Sequence, residues 1–479
     1  MKKIACLCCL IGTLGMGAFA QVGQKMEAME AVITPSTRTL VLPERVELAD
    51  LARISDPGTN AGSKNYLTEL IKLRDKDGRD NALIHYEVSG WALSDNALFG
   101  KDGLDDKSQD VMKNTMAQGW NAESSRLLPF LEMYQSTFAE VRRGAALDYA
   151  KNIGCERGMQ TPTPDYLVMQ IVAKMLCVEG RYFESQGLYA KALDNYLTVL
   201  TLGRDLGGAD QMIIGNFISI AVQNLTMKPL SDLLAGGHLA RPDLERALSR
   251  LKQLQKTGGT TGDIIQGEAK YCKSTYLNLA QKVKQAQETA AKDGKNLNEL
   301  LKQATKESLG YELPLSPAEV KNLDKVVDQV EENMKMIAQA ADKPFYERDF
   351  EKEIFEMQQK MKGQHPMSAI ALPNFHECEV RHLIKTSKML AAQLQAALEL
   401  ARLEKGRYPE KLGELAPKYF DVLPIDPFSG NGFLYTVTAD GKSYSLTSTG
   451  PDKTFGPAGV SYDATNGSCS AGDVLFGKR

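Results

Sequence analysis

The chain has 479 residues, 43% of them hydrophobic and 24% charged, with a net charge of −3. That length holds two or three domains, and the composition is ordinary for a globular protein. A near-neutral balance with 7% aromatic residues supplies neither the basic face nor the stacking platforms that nucleic acid requires, so none is expected as a partner.

The first twenty residues read as a signal peptide. Lys2 and Lys3 give the positive start, Ile4 to Phe19 are apolar or small, and Ala18-Phe19-Ala20 is an A-x-A-type cleavage site before Gln21. The apolar run is short for a membrane span, and no later run reaches spanning length, so no transmembrane span is expected after cleavage. Five cysteines follow the signal: Cys155, Cys177, Cys272, Cys378 and Cys469. Export permits disulfides, and Cys155 with Cys177 is the one bridge considered. The alternative is that all five are small buried hydrophobes.

Residues 21–64 read as a lead-in and linker. Ala31-Val-Ile-Thr and Thr39-Leu-Val-Leu are strand-like, and Ser55 to Ser63 is rich in turn formers. Residues 65–378 read as a helical domain. Asp75-Lys-Asp-Gly-Arg-Asp80 has the look of a calcium loop, but Leu73 and Ile84 stand where the first ligand and the closing Glu would be. It is therefore read as a polar turn, and Lys101 to Asp106 as a solvated acidic loop.

Leu176, Gly180, Phe183, Gly187, Tyr189, Ala192, Tyr196 and Leu200 fall at the offsets of one tetratricopeptide repeat, in which small residues allow close crossing and aromatics fill the groove. No second copy follows, and a solenoid needs several. The expectation is one repeat-like helix pair inside a bundle. Met212 to Leu234 reads as a buried helix, and Asp243 to Gln255 carries an apolar stripe ending at Gly258-Gly259. Tyr271 to Ser308 is Lys/Gln/Ala-rich and reads as a long exposed helix or a partly mobile one. Ser316-Pro-Ala-Glu319 is a capping box, and the helix it starts carries near-heptad apolar residues from Val320 to Ala341.

Residues 379–479 read as a small α+β module with an irregular tail. A long helix, with Leu383, Leu390, Leu394, Ala397 and Ala401 along one face, stops at Gly406-Arg-Tyr-Pro409. Leu423-Pro-Ile-Asp-Pro-Phe428 follows. Phe433 to Thr438 and Ser443 to Ser448 flank an Asp-Gly turn, which signals a hairpin that must pack on the preceding helix. The fold class expected is mainly α: a helical bundle with one repeat-like helix pair, then this module.

As a set, the helix, the Gly-x-Tyr-Pro stop, the Leu-Pro-x-Asp-Pro loop, the aromatic strands and the closing Ser448-Thr-Gly-Pro-Asp452 turn resemble the globular module of the major pseudopilins of type II secretion. The whole chain is similar to exported helical envelope proteins of bacteria. The resemblance implies a periplasmic or outer-envelope location in a Gram-negative cell and a protein partner there. It implies calcium at the closing turn, with Asp452 as a carboxylate ligand and the Thr449 carbonyl as a second. The family's later acidic pair has no clear counterpart: Asp463 and Asp473 are the acids downstream. The alternative is a plain turn stabilised by Asp452. The chain departs from pseudopilins in having an ordinary signal and a long helical domain ahead of the module, so it is not expected to polymerise.

For chemistry, His376-Glu-Cys-Glu-Val-Arg-His382 is the densest ligand-type cluster. Cys378, Glu379 and His382 are candidate zinc ligands there; His85, His238 and His365 show no pairing. Ser249-Arg-Leu-Lys252 and Lys256-Thr-Gly258 mimic penicillin-binding motifs but stand too close together, on one helix. The reading that emerges is a non-enzymatic exported envelope protein: a helical scaffold with a C-terminal docking module. A peptide or glycan binder, and a hydrolase with an unrecognised site, are the alternatives.

Overall fold

The computed structural model describes residues 47, 61–94, 104–208, 212–341, 343–361, 364, 375–456 and 472–476. The signal, both strand-like runs of the lead-in, His365, Asp463 and Cys469 lie outside the described residues. The chain is mainly helical and ends in a three-stranded antiparallel sheet.

Helices α1 (Ala61–Asp77) and α2 (Ala82–Ser94) meet at Gly78, whose φ of +64° suits glycine. The turn between them is polar, as expected. Asp77 accepts hydrogen bonds from Tyr149 Oη at 2.5 Å and Lys151 Nζ at 2.9 Å. Asp105, in the acidic loop, caps α3 (Asp106–Gln118) by accepting from Ser108 N at 2.8 Å. With α4 (Leu128–Met133) and α5 (Gln135–Ala145), these helices bury Tyr66, Leu70, Leu83, Tyr86 and Phe138 in one core.

The repeat-like pair is α6 (Tyr166–Ser185) and α7 (Tyr189–Asp205), joined at Gly187 with φ +72°. A Cβ on Gly180 would sit 2.4 Å from the Tyr196 ring, so the small residue admits the aromatic where the helices cross. Then come α8 (Ile213–Ala235) and α9 (Arg241–Thr257). Cys155 and Cys177 do not form a disulfide, and all four described cysteines are buried thiols. Cys177 lies mid-α6 beside Thr226 of α8, whereas Cys155 lies in the loop before α6 near Tyr166, so the pairing considered from sequence is ruled out.

Helix α10 (Thr261–Asp293) corrects the reading of residues 271–308 as an exposed or partly mobile helix. Ile264, Cys272, Tyr276, Leu279 and Val283 pack against Val326, Val330 and Met334 of α13 (Leu323–Ala341), with α11 (Leu297–Leu309) completing the layer. One apolar anchor per turn suffices because the facing helix supplies a full heptad stripe. The capping box forms at the short α12 (Pro317–Lys321), where Ser316 N donates to Glu319 Oε2 at 2.6 Å. Helix α14 (Phe350–Met361) follows.

Helix α15 (Phe375–Lys405) runs between α8 and α9. Sequence placed its apolar residues on one face; in the structure every residue from Ala391 to Ala401 is buried, so this part of the helix is central rather than amphipathic. Its polar residues are accommodated individually. Gln395 Nε2 donates to Ser231 Oγ at 2.9 Å, and Glu399 accepts from Arg402 Nε at 2.8 Å and from the Tyr408 hydroxyl. Gly406, with φ +73°, ends the helix. Strands β1 (Leu434–Val437) and β2 (Tyr444–Ser448) form the expected hairpin, and β3 (Val474–Phe476), which lies in the stretch read as tail, pairs with β2. Tyr408, Phe433, Tyr444 and Leu446 share a core with α7, α9 and α15, so the sheet is built onto the bundle.

Candidate docking site on the C-terminal module

The module is organised around a buried carboxylate. Asp426, in the Leu-Pro-Ile-Asp-Pro loop, is fully buried. Its oxygens accept from Ser448 Oγ at 2.8 Å, Thr449 Oγ1 at 2.9 Å, Thr449 N at 3.0 Å, Phe428 N at 3.2 Å and Ser429 Oγ at 3.2 Å. Five donors satisfy both oxygens, which is what a buried charge requires. The loop is thereby fixed to the end of β2. This group is structural, because it is enclosed and no acceptor capacity faces outward.

Thr449 gives its amide and its hydroxyl to that lock, which makes no use of the carbonyl considered as a calcium ligand. Asp452 lies on the exposed closing turn, where Oδ1 accepts from Thr454 N at 3.1 Å and Oδ2 from Gly472 N at 3.1 Å. Asp473 Oδ1 in turn accepts from Gly456 N at 3.3 Å. Gly450, at φ +70°, passes so close that a Cβ would sit 2.3 Å from the Gly472 carbonyl oxygen. Asp452 and Asp473 are thus brought to the same pair of loops, but each aims at a backbone amide. Among the described residues no group of three or more His, Cys, Asp or Glu could hold a metal. Calcium prefers six to eight oxygens with several carboxylates, and the described residues do not compose such a set.

The zinc candidates are not gathered into one site either. Cys378 and His382 share a buried face of α15, but Glu379 turns to Arg348, whose Nη1 bonds both its oxygens at 2.5 and 2.6 Å. Burial pushes the Cys378 thiol up to about 12, so the thiolate that zinc needs is disfavoured. Burial and the neighbouring Lys385 hold the His382 imidazole well below its usual range. The penicillin-binding mimics are also packing features. Lys252 Nζ donates to the Tyr419 carbonyl and lies 4.4 Å from the Phe420 ring centroid, clipping α9 to the module.

His85, which shows no pairing in the sequence, is paired in space. Its Nδ1 is 2.5 Å from Glu140 Oε1 and its Nε2 3.0 Å from Asp80 Oδ2. Burial opposes its charge, yet the two carboxylates outweigh that and raise its pKa. No spacing links residues 85 and 140, so only the packing of α2 on α5 reveals this group.

The outer face of the sheet mixes exposed leucines with hydroxyl side chains, of which Thr436 and Ser445 bond each other at 2.6 Å and Thr447 is buried. Leu434 on β1 stands opposite Thr447 on β2, and Thr447 opposite Leu475 on β3, so the three line one row. Ile425 forms an isolated bridge with Gly432, two residues before Leu434, which puts it on the same face. Ile425, Leu434 and Leu475 are 47, 45 and 43% exposed, and Val422 in the adjoining loop is 83% exposed. The inner row, Tyr435, Leu446 and Phe476, packs on the bundle. Sequence alternation marked the hairpin but not which face would remain open. Among the described residues no helix is long and apolar enough to cross a membrane. No protein-family model, no curated protein and no solved structure matches the chain.

Proposed function

We propose that this is an exported envelope protein without catalytic activity, in which the helical bundle is a scaffold and the C-terminal module docks a protein partner. The observation that carries the reading is the exposed aliphatic row Ile425, Leu434 and Leu475 with Val422 beside it. Three strands that bury one face against the bundle have no internal use for aliphatics on the other; large aliphatics left exposed together on one face mark an interaction site. The export signal read in the first twenty residues supports an envelope location. The resemblance of the module to major pseudopilins suggests a secretion or pilus-like machine as the partner.

The test is in-cell crosslinking of the tagged full-length protein, with identification of what co-purifies from the envelope. Wild type should capture components of such a machine, and the Leu434→Ser, Leu475→Ser double variant should lose them while folding normally. Equal capture by the double variant, or recovery of the protein alone, would remove the docking reading.

A further inference from the structure

Five elements converge on one point of the bundle away from the sheet. They are the end of α7 at Gly207-Gly208, the start of α8, the end of α9 at Gly258-Gly259, the start of α10 and the first half of α15. The glycines allow the close approach. A Cβ on Gly259 would lie 3.5 Å from the Gly208 Cα, and one on Gly207 would lie 2.6 Å from Ser219 Oγ. A Cβ on Gly258 would lie 3.9 Å from Lys385 Nζ, so the lysine of α15 reaches up to this loop from below.

Lys385 is only 6% exposed. No carboxylate among the described residues offsets its charge, and burial alone lowers its pKa, to about 8. At neutral pH that value leaves the ammonium form dominant, so a charged group is held inside without a protein counter-ion. One further cation lies at the junction: Arg204, paired with Asp205, donates from Nη1 to Thr257 Oγ1 at 3.3 Å, one residue before Gly258. His382 stands one turn before Lys385, but burial and that lysine disfavour its charged form.

The second observation lies at the start of α10, a helix of 33 residues. The first N–H groups of a helix have no partner within it. Two of them are satisfied by the capping box: Thr260 N donates to Asp263 Oδ2 at 2.7 Å and Asp263 N to Thr260 Oγ1 at 3.1 Å. The amides of the buried residues Thr261 and Gly262 are left. The local acids are engaged elsewhere. Asp263 belongs to the cap, and Asp205 is bound by Arg204 and by Tyr86 Oη at 2.8 Å. Asp263 still opposes an anion, which sets a moderate affinity.

We infer that this junction is a binding site for a small oxyanion, a carboxylate or a phosphate, held by the Lys385 ammonium and the Thr261 and Gly262 amides beneath the Gly258-Gly259 loop. A lysine and the positive end of a helix are complementary to a group carrying two or more oxygens. The glycines let the backbone come within reach of the ligand. The site lies on the bundle and is independent of the docking row on the sheet.

The test is calorimetric titration of the full-length protein with inorganic phosphate and, separately, with acetate, at pH 7 and constant chloride ionic strength. One or both should bind saturably, which also identifies the oxyanion class. Affinity should fall at least tenfold in Lys385→Met. Amide resonances of Thr261 and Gly262 should shift along the same titration in the wild type, a readout that stands even if the variant does not fold. Absence of saturable binding by both anions, unchanged binding by Lys385→Met, or unmoved Thr261 and Gly262 resonances would each overturn the site.

Discussion

Two buried charges in different regions of this protein are treated in opposite ways. Asp426 of the C-terminal module is surrounded by five donors from two short segments. Lys385 of the bundle lies nearly as deep and meets no carboxylate among the described residues. The first arrangement is finished within the chain, so its role is to hold the loop and strand together. The second is left open, and its charge is available to something from outside. Burial alone therefore does not separate structural ions from binding groups; the count of satisfied hydrogen-bonding positions does.

The largest test of that contrast is Asp426→Ala. It leaves five donors around an empty position and should cost on the order of 3 to 5 kcal/mol, read from urea unfolding. A loss below about 1 kcal/mol would mean the donors find water, and the lock would not be one. Leu398→Ala, in the fully buried part of α15, supplies a yardstick from ordinary packing, at about 2 to 5 kcal/mol.

Lys385→Met should move the other way, gaining on the order of 1 kcal/mol in chloride buffer at pH 7, because it removes an uncompensated buried charge. The sign follows from linkage. A folded-state pKa of about 8 lies below the unfolded value, so stability from this group is full above roughly pH 10.4 and is lost as pH falls toward 8. Wild type should therefore catch up with Lys385→Met between those limits, in unfolding curves recorded at each pH. A variant less stable than wild type throughout would show that the ammonium is satisfied.

His85 has the reverse sign. Its raised pKa gives stability that is fully present below about pH 6.5 and fades as pH rises through the folded-state value. Comparing His85→Gln with wild type across pH 6 to 9 should show a gap that narrows upward; a gap independent of pH would assign the residue to packing. The smallest effect is expected on the sheet. Leu434→Ser and Leu475→Ser should each change stability within about 0.5 kcal/mol, since both side chains already face water.

Much of the architecture was legible from local chemistry. The capping box at Ser316, the glycine stop at Gly406 and the Asp-Gly hairpin turn are decided within a few residues, and all three stand where those residues put them. The Gly180 and Tyr196 contact was legible because both lie in one helix pair. What escaped depends on distant partners. Residues 271–308 read as exposed because their stripe is thin, and only the heptads of α13 make it sufficient. Val474 to Phe476 is too short to announce a strand without β2 beside it. Asp426 was visible in its loop, but its donors arrive from Ser448 and Thr449. Lys385 and Gly258 are far apart in the chain, and nothing in the sequence links them.

The two loops that close the sheet exchange bonds, Asp452 with Gly472 and Asp473 with Gly456. The ends of the described chain on either side of residues 457–471 are therefore held at one clamped point. The clamp fixes where β3 begins beside β2, and the entropy of closing a flexible connection depends only weakly on its length, about 0.6 kcal/mol per doubling.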